Sequence, residues 1–96
     1  MKMLVVIGPH GRQEEIRALI SRNGARAFTE IPEVLGQGEH GKRLGTHFFP
    51  GTSALMFSVL PAAEVERVVT ALQELRGSLY AQESLHAFTL PAESVL

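Results

Sequence analysis

Lys42 and Arg43 sit in a glycine-rich run that also holds Glu39, His40 and His47, and this run carries the clearest capacity for chemistry in the chain. Five of the nine glycines (Gly36, Gly38, Gly41, Gly45 and Gly51) fall within its sixteen residues. Glycine admits positive φ, which lets consecutive N–H groups turn toward one point, so such a loop can wrap an anion while two cations neutralise it. The imidazoles and the carboxylate open a second ligand class: Glu39, His40 and His47 could hold zinc, copper or nickel. Neither His-x-His nor His-Glu-x-x-His spacing occurs, and no Walker or G-x-G-x-x-G pattern lies between a strand and a helix. Phe48-Phe49-Pro50 either anchors a partner beside this loop or enters the next strand and packs.

Catalysis finds no equivalent residues. Ser53, Ser58 and Ser84 with His10, His40, His47 and His86 form no triad pattern, Gly51-Thr52-Ser53 is no nucleophile elbow, and no general base can be assigned. The chain is expected not to be an enzyme. Cysteine is absent, which removes disulfides, thiolate metal sites and thiol nucleophiles together. Nine Lys and Arg against ten Asp and Glu leave a net charge of −1, so no basic excess points to nucleic acid. The longest apolar run, Met3 to Ile7, is far below the ~20 residues that span a bilayer. A single domain over residues 1–96, cytoplasmic and without direct membrane insertion, is expected.

The elements that must position these residues can be read from periodicity. Met3 to Ile7 is apolar on both faces, the pattern of a central strand covered above and below, and Gly8-Pro9-His10-Gly11 is expected to stop it. Ile16, Leu19 and Ile20 recur at helical spacing between Arg12 and Asn23, and Asn23-Gly24 ends that helix. A second strand is predicted over Ala25 to Ile31, continuing irregularly to Leu35, with Arg26 and Glu30 as a solvated pair on its wetter face. A third follows over Ser53 to Leu60, with Leu55, Phe57 and Val59 on one face and Ala54, Met56, Ser58 and Leu60 on the other. Val65, Val68, Val69, Leu72 and Leu75 predict a helix over Ala62 to Arg76, closed by Gly77. Leu85 to Leu90 makes the last strand, leaving His10 in a turn and His86 at a strand start.

The order β-α-β, long loop, β-α-β is that of an α+β ferredoxin-like βαββαβ sandwich, a four-stranded antiparallel sheet with two helices on one face. Two helices cover one face only. The apolar residues on the other face of the central strands then call for further copies of the same chain, because a domain this small is marginal with such a face in water. A homo-oligomer with ligands in its intersubunit clefts is expected.

Several stretches resemble the PII signal-transduction proteins: Met1-Lys2-Met3-Leu4-Val5-Val6-Ile7-Gly8-Pro9, Gly24 to Ile31, Val65-Glu66-Arg67-Val68-Val69, and His86-Ala87-Phe88-Thr89-Leu90-Pro91-Ala92-Glu93. The glycine-rich run 36–51 falls at the T-loop position. The resemblance covers essentially the whole chain. It implies a homotrimer whose sheets face one another, an adenine nucleotide (ATP, ADP or AMP) in each lateral cleft, and a T-loop that docks on a transporter, enzyme or regulator. On that reading Gly36, Gln37, Gly38, Lys42 and Arg43, joined by His86 and Phe88, would line the ligand site. The chain departs from the family in three places: Arg76 to Ser84 holds one Gly and no Lys where PII proteins carry a phosphate loop, no tyrosine lies in the shortened T-loop, and no basic segment precedes Leu96. These departures mark a PII-like outlier. The metal alternative resembles the CutA-type and copper-efflux-associated PII-like proteins, with His40, His47 and Glu39 as ligands.

Overall fold

Alternating β-branched and aliphatic residues build β1 (Lys2–Pro9) and β3 (Thr52–Leu60), which pair antiparallel from Lys2 opposite Leu60 to Pro9 opposite Ser53. The structure, a computed structural model, describes residues 1–35 and 52–96. Among these, α1 (Gln13–Arg22), β2 (Thr29–Leu35), α2 (Ala62–Arg76) and β4 (His86–Pro91) complete a four-stranded antiparallel sheet in the order β2-β3-β1-β4. This is the expected ferredoxin-like arrangement, with β1 and β3 central. Leu4 and Val6 of β1 and Ala54, Met56 and Leu60 of β3 are buried against Ile16, Leu19 and Ile20 of α1 and Val65, Val68, Leu72 and Leu75 of α2. Ser58, buried among them, donates its hydroxyl hydrogen to the Ala27 carbonyl, which removes the cost of an unpaired polar group.

The first helix, the third strand and α2 lie close to their predicted bounds; the end of β1, the start of β2 and both ends of β4 differ. β1 continues through Gly8 and Pro9 because Gly8 lies directly beneath Ile16, where a side chain would collide: a Cβ there would stand 2.5 Å from Ile16 Cδ1. The helix is then entered through a 3-10 turn at His10–Arg12. β2 starts at Thr29 and not at Ala25. Gly24, at φ +123°, reverses the chain; the Ala25 amide closes back on the Ile20 carbonyl and its methyl is buried in the core. Arg26 thus lies in a turn, and its amide bonds the Gly24 carbonyl. Pro32 falls within a register shift between Ile31 and Val34, as a residue without an N–H should. β4 starts at His86 because Leu85 turns into the core.

Among the described residues, no helix lies over the second face of the sheet. Register places Phe88 beside Val5, Val5 beside Phe57, and Leu90, Met3 and Val59 in the adjoining row. Ile7, Leu55 and Ile31 form a third row. Met3, Val5, Ile7, Leu55 and Phe57 are half-buried, while Ile31, Val59, Leu90 and Phe88 are 41 to 56% exposed. The apolar surface is therefore continuous from one edge strand to the other.

Candidate functional site

Antiparallel pairing brings the β1–α1 turn, the end of β2, the start of β3 and the α2–β4 connection to one end of the sheet. Pro9 lies opposite Ser53, His86 opposite Ile7, and Leu35 opposite Thr52. The turn His10–Arg12, the exit from β2, the entry to β3 and the connection 77–85 all meet there. At the other end a cavity of about 380 Å³ is lined by Arg22, Arg26, Pro61, Glu64 and Arg67 among others, and none of the predicted site residues belongs to it.

Arg12 is the organising side chain of the converging end. Its Nε donates to Glu83 Oε2 at 3.1 Å and its Nη2 to Glu83 Oε1 at 3.0 Å, a two-point fork. Nη1 donates to Glu15 Oε1 at 3.0 Å, and the guanidinium lies 5.6 Å from the centre of the Tyr80 ring. Glu83 also accepts the Tyr80 amide at 2.9 Å. The Arg12 hydrogen bonds, helped by that amide, hold the Glu83 carboxyl below its ordinary range, and Glu83 in turn holds the guanidinium protonated. The pair ties the β1–α1 turn to the α2–β4 connection.

A second network fastens α1 to β2. Arg17 Nε and Nη2 donate to the two oxygens of Glu30 at 2.8 and 3.0 Å, so Glu30 pairs with α1 and not with Arg26 as the strand pattern suggests. The reason is the late start of β2, which leaves Arg26 without an ion pair among the described residues. With its amide nitrogen turned to the strand, Gln13 donates to Glu30 and to the Pro32 carbonyl. His10 Nδ1 donates to that same carbonyl at 2.6 Å, and Nε2 lies 3.9 Å from Glu33. His10 thus finishes a turn and braces the irregular stretch of β2.

Both paired carboxylates titrate below the ordinary value of 4.5, each because an arginine hydrogen-bonds the charged form. A carboxyl with a depressed folded-state pKa contributes stability above its unfolded value and loses it as pH falls through the folded one. The urea midpoint should therefore stay level from neutral pH down to about 4.5 and decline below it. In a Glu30→Gln, Glu83→Gln variant that acid decline should be visibly shallower; an unchanged slope would rule these two groups out as its source.

Of the residues expected to line the ligand or metal site, His86 and Phe88 are described. Both lie on the helix-free face of β4, opposite Ile7 and Val5, and both are exposed. Gly36, Gln37, Gly38, Glu39, His40, Lys42, Arg43, His47 and the Phe48-Phe49-Pro50 segment lie outside the described residues. Among the described residues no three His, Asp or Glu side chains come together as metal ligands, and no helix is long and apolar enough to cross a membrane. Arg12, Glu83 and Tyr80 escape a sequence reading because Arg12 and Glu83 are 71 positions apart and no local pattern links them.

Comparison with known families matches residues 1–95 to the nitrogen regulatory protein P-II model. Comparison with curated protein sequences finds no match. Among solved structures, one described as a PII-like signalling protein of Thermus thermophilus superposes with a TM-score of 0.67 at 17% identity, over 93% of this chain and 83% of that one. CPII of Thiomonas intermedia, a nitrogen regulatory PII-like protein bound to ADP, AMP and bicarbonate, superposes with a TM-score of 0.66 at 17% identity, over 93% and 84%. The same protein bound to ADP and bicarbonate gives 0.67 at 18%, over 93% and 84%. At such identities the likeness is one of fold. The ligands named for the two CPII structures are adenine nucleotides and bicarbonate; no comparison names a metal, and His40, His47 and Glu39 lie outside the described residues.

Proposed function

The chain belongs to the nitrogen regulatory protein P-II family, whose members are signalling regulators and not enzymes, and on that premise we propose that it acts as a nucleotide-responsive homotrimer. The observation that carries this reading is the helix-free face of the sheet. Its rows of Phe88, Val5 and Phe57, of Leu90, Met3 and Val59, and of Ile7, Leu55 and Ile31 are what identical subunits would bury against one another. A standard interface withdraws about 800 Å² per partner, and apolar surface contributes about 25 cal/mol per Å² before the costs of association. Clefts between subunits then receive an adenine nucleotide, the ligand class of the CPII structures. His86 and Phe88 present the edge of β4 to the cleft, and Gly36, Gln37, Gly38, Lys42 and Arg43 close on the phosphates. Residues 36–51 carry the signal to a cytoplasmic partner protein, to the extent that the ligand favours one of their arrangements over another.

Calorimetric titration with ADP tests the ligand. Saturable binding at one nucleotide per chain is expected, weakened roughly tenfold or more when Lys42 and Arg43 are both replaced by alanine, because each removes a charge-assisted contact. Absence of saturable heat, or binding indifferent to that double substitution, would overturn the nucleotide assignment.

A further inference from the structure

Arg17–Glu30 and Arg12–Glu83 are both two-point arginine–carboxylate pairs, but they join different kinds of structure. The first fastens a helix to a strand, and Glu30 is 13% exposed. The second joins two connections, the turn after β1 and the 77–85 segment, at the end of the sheet where the chain leaves β2 and enters β3. Neither Arg12 nor Glu83 belongs to the apolar core. Leu79 packs against that core and Leu85 is buried in it, so the stretch between them is anchored at both ends. Within the stretch, Glu83 closes a turn by bonding its amide to the Tyr80 carbonyl and accepting the Tyr80 amide on its carboxylate.

Two coplanar carboxylate oxygens on Nε and Nη2 are the arrangement that a phosphate group also takes on a guanidinium. Glu15 holds the third nitrogen independently of residues 80–83, so Arg12 keeps an anchor when the fork is vacated, and the Tyr80 ring beside the cation senses the change. We propose that Glu83 is a resident competitor for Arg12: a phosphate-bearing ligand displaces the Glu83 carboxylate from the fork, and the exchange releases the Tyr80–Glu83 turn. Glu83 then sets specificity. It lowers affinity for phosphate anions by the cost of displacing it, and it makes anion binding and the position of residues 80–83 a single event. The cleft assignment rests on the nucleotide-responsive reading above; the exchange itself needs only Arg12, Glu83 and an oxyanion.

Tyr80 is the chain's only tyrosine and there is no tryptophan, so its fluorescence reports on this exchange without a label. Titration with inorganic pyrophosphate should give a saturable change in Tyr80 emission. Glu83→Gln keeps the shape of the side chain while removing its charge, and should tighten pyrophosphate binding roughly tenfold, the size of one charge-assisted contact. Arg12→Gln should abolish the response, and Arg12→Lys, which keeps the charge without the fork, should restore it only in part. Binding by Glu83→Gln no tighter than the parent, a response that survives Arg12→Gln, or no pyrophosphate response in any form would each overturn the exchange. If pyrophosphate behaves as expected while ADP fails to bind, the exchange stands and the nucleotide assignment falls. If ADP binds and Glu83→Gln changes nothing for pyrophosphate, the reverse holds.

Discussion

Glutamate in place of Val5 should leave a folded chain that no longer assembles. Val5 lies at the middle of β1 on the helix-free face, with Phe57 beside it on β3 and Phe88 beside it on β4. Its neighbours Leu4 and Val6 point the other way, into the core beneath the helices, each 1% exposed. A carboxylate at position 5 therefore reaches water in a lone subunit and leaves that core intact. In an assembly built on this face the same carboxylate would be enclosed among Phe57, Phe88 and their symmetry mates with no cation opposite. An unpaired buried charge costs several kcal/mol per subunit, enough to dissolve an interface of ordinary strength. Sedimentation velocity should return the mass of one chain, with far-UV circular dichroism like that of the parent. A variant that keeps the parent's mass would place the interface elsewhere.

Ile20→Ala should be among the most damaging single truncations on the other side of the sheet. Ile20 is 1% exposed and packs within the cluster formed by α1, α2, β1 and β3, while its carbonyl already serves the Asn23 and Ala25 amides that turn the chain toward β2. Removing its outer carbons leaves a void that helices held by their own backbone bonds cannot close. Truncations of this kind cost about 2–5 kcal/mol, a large share of the ~5–15 kcal/mol that folds a small domain. The two faces can be separated experimentally: measured in a Val5→Glu background, the loss at Ile20 should appear in the urea midpoint of the monomer itself. A loss under about 1 kcal/mol would mean that the helix side of the sheet is not the core.

How much of this is legible in the sequence depends on the range of the interaction. α2 runs from Ala62 to Arg76 as its apolar spacing demands, because nothing between Pro61 and Gly77 competes with the helical period. β3 likewise shows its two faces in plain alternation. The start of β2 is not legible, because Ala25 and Ala27 alternate like strand residues, whereas after the positive φ at Gly24 the Ala25 amide bonds the Ile20 carbonyl and the Ala27 carbonyl accepts the Ser58 hydroxyl. Strand alternation matches Glu30 with its near neighbour Arg26, although a longer reach across to Arg17 gives two hydrogen bonds in a less exposed place. The Arg12–Glu83 fork joins residues from opposite ends of the chain, and periodicity carries no signal for such a pair. His86 and Phe88 share one face of β4 by alternation, but only the pairing with Ile7 and Val5 shows that this face is the one without helices.

Native mass spectrometry of the unmodified protein in the presence of ADP tests the central claim most directly. Three chains of 10.5 kDa each, carrying up to one nucleotide per chain, are the expected species. A folded single chain at all concentrations, with the helix-free face left in water, would contradict the account.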